Sequence, residues 1–124
     1  MNNIITLEYV DVFDENRQKT VSFSKDLISE TTNIKSLFAI LVDGKSMQPK
    51  INDKSIVIAD LSSKQIEDDS IYIVYYDNKM WVKKAIFKDN DFLFVSINED
   101  FKHLVYKKEE VYVVAKAILT FTKL

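Results

Sequence analysis

Short runs rich in β-branched and aromatic residues recur along this chain, at Ile4 to Phe13, Thr20 to Phe23, Leu37 to Val42, Ser55 to Ala59, Ile71 to Tyr76, Met80 to Phe87, Asp91 to Ile97 and Glu110 to Phe121. Such runs read as strands, because branched and aromatic side chains fit a pleated surface. The pattern predicts a mainly β protein. Tyr76-Asp77-Asn78-Lys79 predicts a tight hairpin turn, since Asp and Asn tolerate positive φ, and would pair the Tyr72 strand with the one that follows. A second hairpin turn is predicted at Asp89-Asn90. Ser24 to Glu30 reads as one short helix with Ser24 as its N-cap, and Met47 to Ile51 as a single helical turn.

Composition narrows the class. At 124 residues and 47% hydrophobic, the chain can bury one core and is too short for two large domains, so one domain spanning 1–124 is expected. With no cysteine, disulfides, thiol catalysis and cysteine metal sites are excluded. The single histidine, His103, cannot form a two-histidine metal site and reads as a surface residue; no metal or cofactor is expected. Net charge of -2 removes the usual electrostatic footprint of a DNA-binding domain. Residues 1–8 lack the basic stretch and apolar core of a signal peptide, and no run approaches a membrane span. A cytoplasmic protein without a membrane partner is the expectation.

The candidate chemistry lies in Val42-Asp43-Gly44-Lys45-Ser46-Met47-Gln48-Pro49 and in Trp81-Val82-Lys83-Lys84-Ala85-Ile86. The only glycine and the only proline both fall in the first segment, which suits a backbone that turns sharply and presents amides to an oxyanion. A serine hydroxyl is a weak nucleophile until a neighbouring base takes its proton. A lysine can serve only when neutral, and burial in an apolar strand lowers its pKa by up to ~3–5 units. Lys83 and Lys84 are adjacent, so the two-residue strand period sends them to opposite faces. Lys83 shares its face with Trp81, Ala85 and Phe87, and Lys84 with Met80, Val82 and Ile86. Both faces are apolar, and periodicity alone does not choose between them.

Gly44-Lys45-Ser46-Met47-Gln48-Pro49 resembles the serine motif of the LexA-like peptidases, which include SOS repressors, phage repressors of the lambda and P22 kind, and the UmuD mutagenesis proteins. Val82-Lys83-Lys84-Ala85-Ile86 resembles their lysine motif. The resemblance extends to Asp53 to Asp60 and to Val95-Ser96-Ile97-Asn98, and covers about 37–119, with 1–36 left as N-terminal strands and a short helix. It implies a fold of twisted antiparallel sheets with one or two short helices. It also implies a serine peptidase in which Ser46 is the nucleophile, Lys83 rather than Lys84 the general base, and the backbone amides of Lys45 and Ser46 the oxyanion hole. Gly44, Met47 and Pro49 support the motif. Repressors of this family carry a helix-turn-helix module ahead of the peptidase domain, and this chain shows no such pattern. It reads either as the C-terminal part of a longer repressor or as a UmuD-like stand-alone protein.

The sequence departs from the family at the cleavage site. Self-cleaving members cut an Ala-Gly or Cys-Gly bond upstream of the serine, and this chain holds neither dipeptide. Where related phage repressors carry that loop, it has the polar turn Phe13 to Lys19. Little self-cleavage within these residues is therefore expected. Two readings follow. One is a repressor regulatory domain whose dyad cleaves its own full-length chain when a RecA filament stabilises the cleavable form. The other is a non-cleaving homodimerisation module, with repression lifted by a partner or ligand. In either, dimerisation through the C-terminal strand is what the resemblance implies, and DNA contact comes only from a module absent here. A third, weaker reading takes the lysines among Trp81, Phe87, Phe92 and Phe94 as a single-strand nucleic-acid platform. The pairs Asp68-Asp69 and Glu109-Glu110 read as solvated charge.

Overall fold

A computed structural model describes residues 3–124. The chain opens with a hairpin of β1 (Ile4–Asp11) and β2 (Arg17–Ser24), which forms a two-stranded sheet. The remaining strands are β3 (Leu37–Leu41), β4 (Ile56–Asp60), β5 (Ile71–Tyr76), β6 (Lys79–Lys88), β7 (Asp91–Val95), β8 (Val105–Lys107) and β9 (Tyr112–Phe121). They make an antiparallel sheet in the order β3-β4-β9-β5-β6-β7-β8. The expectation of a mainly β protein built of antiparallel sheets holds.

Both predicted turns form as read. Asp77 and Asn78 have φ of 51° and 61°, and Asp89 and Asn90 have 53° and 64°. Positive φ at both central residues gives a turn whose twist matches that of the flanking strands. β5 and β6 therefore pair with Tyr72 opposite Lys83, and β6 and β7 with Lys84 opposite Val95.

Among the described residues helix occurs only as single 3₁₀ turns, at Lys25–Leu27, Ile34–Ser36, Glu99–Phe101 and Lys108–Glu110. The predicted Ser24 to Glu30 helix shrinks to the first of these. Ser24 does cap it, accepting from the Asp26 N–H at 3.1 Å, but Ile28 returns to extended backbone. Ile28 packs on the core around Ile5 and Phe23, and that contact ends the turn. The last predicted strand begins at Tyr112 rather than Glu110, because Glu110 belongs to a turn in which its carboxylate accepts the Lys107 N–H. The strand predicted as Asp91 to Ile97 ends at Val95, and β8 was not predicted.

β5 divides the core. Ile73 faces a cluster with Val42, Met47, Ile51, Val57, Ala59, Val82 and Ala115, while Tyr72 and Val74 face a second with Ala85 and Phe94. A third cluster joins Ile5 and Phe23 of the hairpin to Leu37, Ala39 and Ile58. Burying each large apolar side chain contributes about 1.5–3 kcal/mol. The large sheet is thus covered on both faces at β4, β5 and β6. This explains why β6 is apolar on both faces in sequence.

Candidate functional site

The segment between β3 and β4 carries Ser46. Its base is closed by Val42 N–H to Ser55 O and Lys54 N–H to Val42 O, both 2.8 Å, and Asp53 Oδ1 accepts the Gly44 N–H at 2.9 Å. Gly44 has φ of +134°, a backbone conformation that side-chain-bearing residues rarely adopt. After Ser46 the chain makes the predicted turn, with Ile51 N–H donating to Met47 O at 2.9 Å. Met47 and Ile51 are 2% and 3% exposed and anchor the turn in the core beneath, while Ser46 stays half-buried at the surface. The Gln48–Pro49 peptide is cis.

Lys83 sits in the middle of β6 and is 1% exposed. Its Nζ donates to Ser96 Oγ at 2.7 Å and lies 5.7 Å and 5.8 Å from the ring centroids of Trp81 and Tyr106. Among the described residues no carboxylate forms an ion pair with it. Burial without a countercharge disfavours the ammonium and pushes the Lys83 pKa below the ordinary lysine value. Lys84 points to the other face and pairs with Asp69, whose carboxyl that lysine holds below the usual range. Lys83, not Lys84, is the lysine that shares a cleft with Ser46.

That cleft has a volume of about 600 Å³. Ser46, Lys83 and Trp81 line it, and β1 supplies a further wall through Tyr9, Val10 and neighbouring residues. The Lys83 hydrogen bond goes to Ser96, and among the described residues no partner takes the Ser46 hydroxyl. Catalytic hydrogen bonds often tighten only when substrate is bound.

Two residues that the sequence did not single out tie the halves together. Ser96 holds Lys83. Asn98, two positions on, donates its backbone N–H to Ser46 O at 2.9 Å and its side-chain Nδ2 to Lys45 O at 2.8 Å. The carbonyls of Lys45 and Ser46 are therefore fixed toward Asn98, while their amide N–H groups meet no protein acceptor among the described residues. That is the arrangement that could hold an oxyanion. A signal for Ser96 was available: each step back along β6 from the Asp89-Asn90 turn matches a step forward along β7, so the register that pairs Lys84 with Val95 sets Ser96 against Lys83. Nothing comparable marks Asn98, whose partners lie on a different part of the chain.

The other sequence candidates stay apart from the cleft. His103 is exposed. Asp68 accepts the Phe87 N–H at 2.7 Å. No helix of the described residues is long and apolar enough to cross a membrane.

A profile of the Peptidase S24-like family matches residues 5–118. The chain belongs to that family, the one that holds the LexA and UmuD proteins. The match takes in β1 and β2 as well as the serine and lysine segments, so the N-terminal hairpin is part of the family's domain. The chain is also similar to a Haemophilus influenzae protein named an uncharacterized HTH-type transcriptional regulator, 34% identical over 58 residues. That stretch is 47% of this chain and 24% of the relative, so the chain spans about a quarter of that protein.

Proposed function

We propose that this chain is the regulatory C-terminal domain of a bacterial or phage LexA/cI-like transcriptional repressor, acting in the cytoplasm, with a Ser46-Lys83 dyad that cleaves its own full-length polypeptide. The observation that carries the reading is a buried lysine with no countercharge on the cleft that presents Ser46. Family membership and a relative named as an HTH-type regulator support the setting.

Neutral Lys83 takes the proton of Ser46 Oγ as the oxygen attacks a peptide carbonyl carbon. The resulting oxyanion is held by the amides of Lys45 and Ser46. The tetrahedral species collapses as the Lys83 ammonium gives its proton to the departing amine, breaking the C–N bond. Water, deprotonated by Lys83, then hydrolyses the ester and returns the serine. A RecA filament would act by favouring the conformation in which the substrate segment enters the cleft. Homodimerisation fits the register of β9: Tyr112 to Lys116 pairs with β5, whereas Lys116 to Phe121 pairs with β4 and runs beyond the β5 ladder. That second half offers one strand edge to another copy.

The absence of Ala-Gly and Cys-Gly favours a second reading, a homodimerisation module relieved by a partner or ligand without cutting. Intact-mass detection of Ser46 labelling by a fluorophosphonate, from about pH 7 to 10, separates the two. Labelling that rises with pH, survives Lys84→Ala and is lost in Lys83→Ala and Ser46→Ala is expected for the dyad. No labelling of the folded chain at any pH would leave the dimerisation module.

A further inference from the structure

Lys83 presents a problem that its role as base does not solve. An amine on four methylenes has many rotamers, and a base must keep its lone pair on one atom. β6 fixes only the Lys83 Cα. The side chain is enclosed by Trp81 and Tyr106, which attract a cation but impose no direction on individual N–H bonds. Ser96 Oγ, at 2.7 Å, is the directional contact.

We propose that Ser96 is a positioning residue for Lys83: its hydroxyl accepts one N–H of the amine and thereby turns the Nζ lone pair toward the cleft where Ser46 waits. The inference rests on the dyad reading and deepens it. Ser96 is itself only 8% exposed and sits one residue past the end of β7, where its place opposite Lys83 is set by the hairpin register. The same short segment continues to Asn98, which pins the carbonyls of Lys45 and Ser46. Ser96 and Asn98 therefore fix base and nucleophile relative to one another through three consecutive residues. A shift of the segment would move both together.

The surroundings leave Ser96 the main polar influence on Lys83. Opposite it on β5 is Tyr72, whose hydroxyl is engaged with Gln65 O and the Glu67 N–H. From β8 comes Tyr106, whose phenol burial pushes above its ordinary pKa. Glu8 and Tyr9 of β1 and Asp43 and Lys45 of the serine segment line the cleft, and none is hydrogen-bonded to or ion-paired with Nζ. A hydroxyl that accepts from the ammonium favours the charged form. Removing it should lower the Lys83 pKa further while leaving the neutral amine less well aimed.

The test uses the whole chain with ¹³C-lysine, following the Lys83 Cε resonance (assigned by its loss in Lys83→Met) through a pH titration, alongside fluorophosphonate labelling of Ser46. In Ser96→Ala, Lys83 should titrate at lower pH than in the parent, and the limiting labelling rate at high pH should fall about tenfold or more, as for a misplaced catalytic group. Ser96→Thr, which keeps the hydroxyl, should restore both. Ser96→Cys, with a weaker acceptor, should fall between and serves if the alanine variant does not fold. An unchanged Lys83 titration in Ser96→Ala, or labelling as fast as or faster than the parent, overturns the proposal; faster labelling would mean that Ser96 parks the lysine away from Ser46. Absence of labelling in the parent would instead defeat the dyad reading, and the titration would still decide whether Ser96 governs Lys83.

Discussion

Replacing Lys83 by Met keeps a long unbranched stem in β6 and removes the amine. The structure predicts a gain in stability at neutral pH, and a gain that disappears as pH rises. Lys83 is 1% exposed, has one hydroxyl partner and no carboxylate, so burial disfavours its ammonium and sets its folded pKa below the ordinary 10.5. Below the folded pKa both folded and unfolded states carry the proton, and the wild-type chain bears the full cost of a buried charge. Between the folded pKa and about 10.5 only the unfolded state carries it. There the unfolded state binds more protons, so wild-type stability rises with pH. One site contributes a slope of at most about 1.4 kcal/mol per pH unit. Above the upper value both states are neutral and the cost is gone. Urea unfolding of both chains at several pH values gives the difference, in which the other lysines and tyrosines cancel. The advantage of Lys83→Met should be largest near neutrality and shrink toward pH 10.5. A difference that stays flat across this range, with equal m values, would refute the assignment of Lys83 as a buried uncompensated amine.

Two further substitutions probe the serine segment. Asn98→Ala removes the bond from Nδ2 to Lys45 O and the Oδ1 cap on the Asp100 N–H but keeps the backbone bond to Ser46 O, so stability should fall by about 1–3 kcal/mol. Its fluorophosphonate labelling should slow without a shift in the pH at which it is half-maximal, because Lys83 is untouched. In Gly44→Ala the added Cβ meets nothing within 4 Å, and the whole penalty comes from holding alanine at φ of +134°. Thermal or urea unfolding should show a loss on the order of 1–3 kcal/mol, and a loss below about 0.5 kcal/mol would mean that the turn relaxes without strain.

Much of the architecture was legible because it is local. Alternating and continuous apolar runs located the strands β1 to β7 and β9, and the Asp-Asn pairs located two turns at which positive φ was required. β8 escaped because three residues, Val105–Lys107, carry too little pattern to stand out from a lysine-rich loop. The helix after Ser24 was overestimated because capping identifies where a turn starts, whereas its length was decided by Ile28 packing on the hairpin core. At the site, the serine and lysine segments were recognisable from their residues. Ser96 and Asn98 were seen only as part of a family-like stretch, since their partners are a strand and a loop away.

The sequence by itself determined the residue types, the strand period and the turns, and therefore that Lys83 and Lys84 must face opposite ways. Only the resemblance of the lysine motif pointed to Lys83; periodicity could not determine which way, because β6 lies inside a sheet covered on both faces and is apolar on each. The tertiary packing decided it physically. Lys83 was placed between Trp81 and Tyr106 with Ser96 as its acceptor, while Lys84 met Asp69. Burial and the absence of a countercharge set a lysine's basicity, and both depend on residues brought together from β6, the segment after β7, and β8.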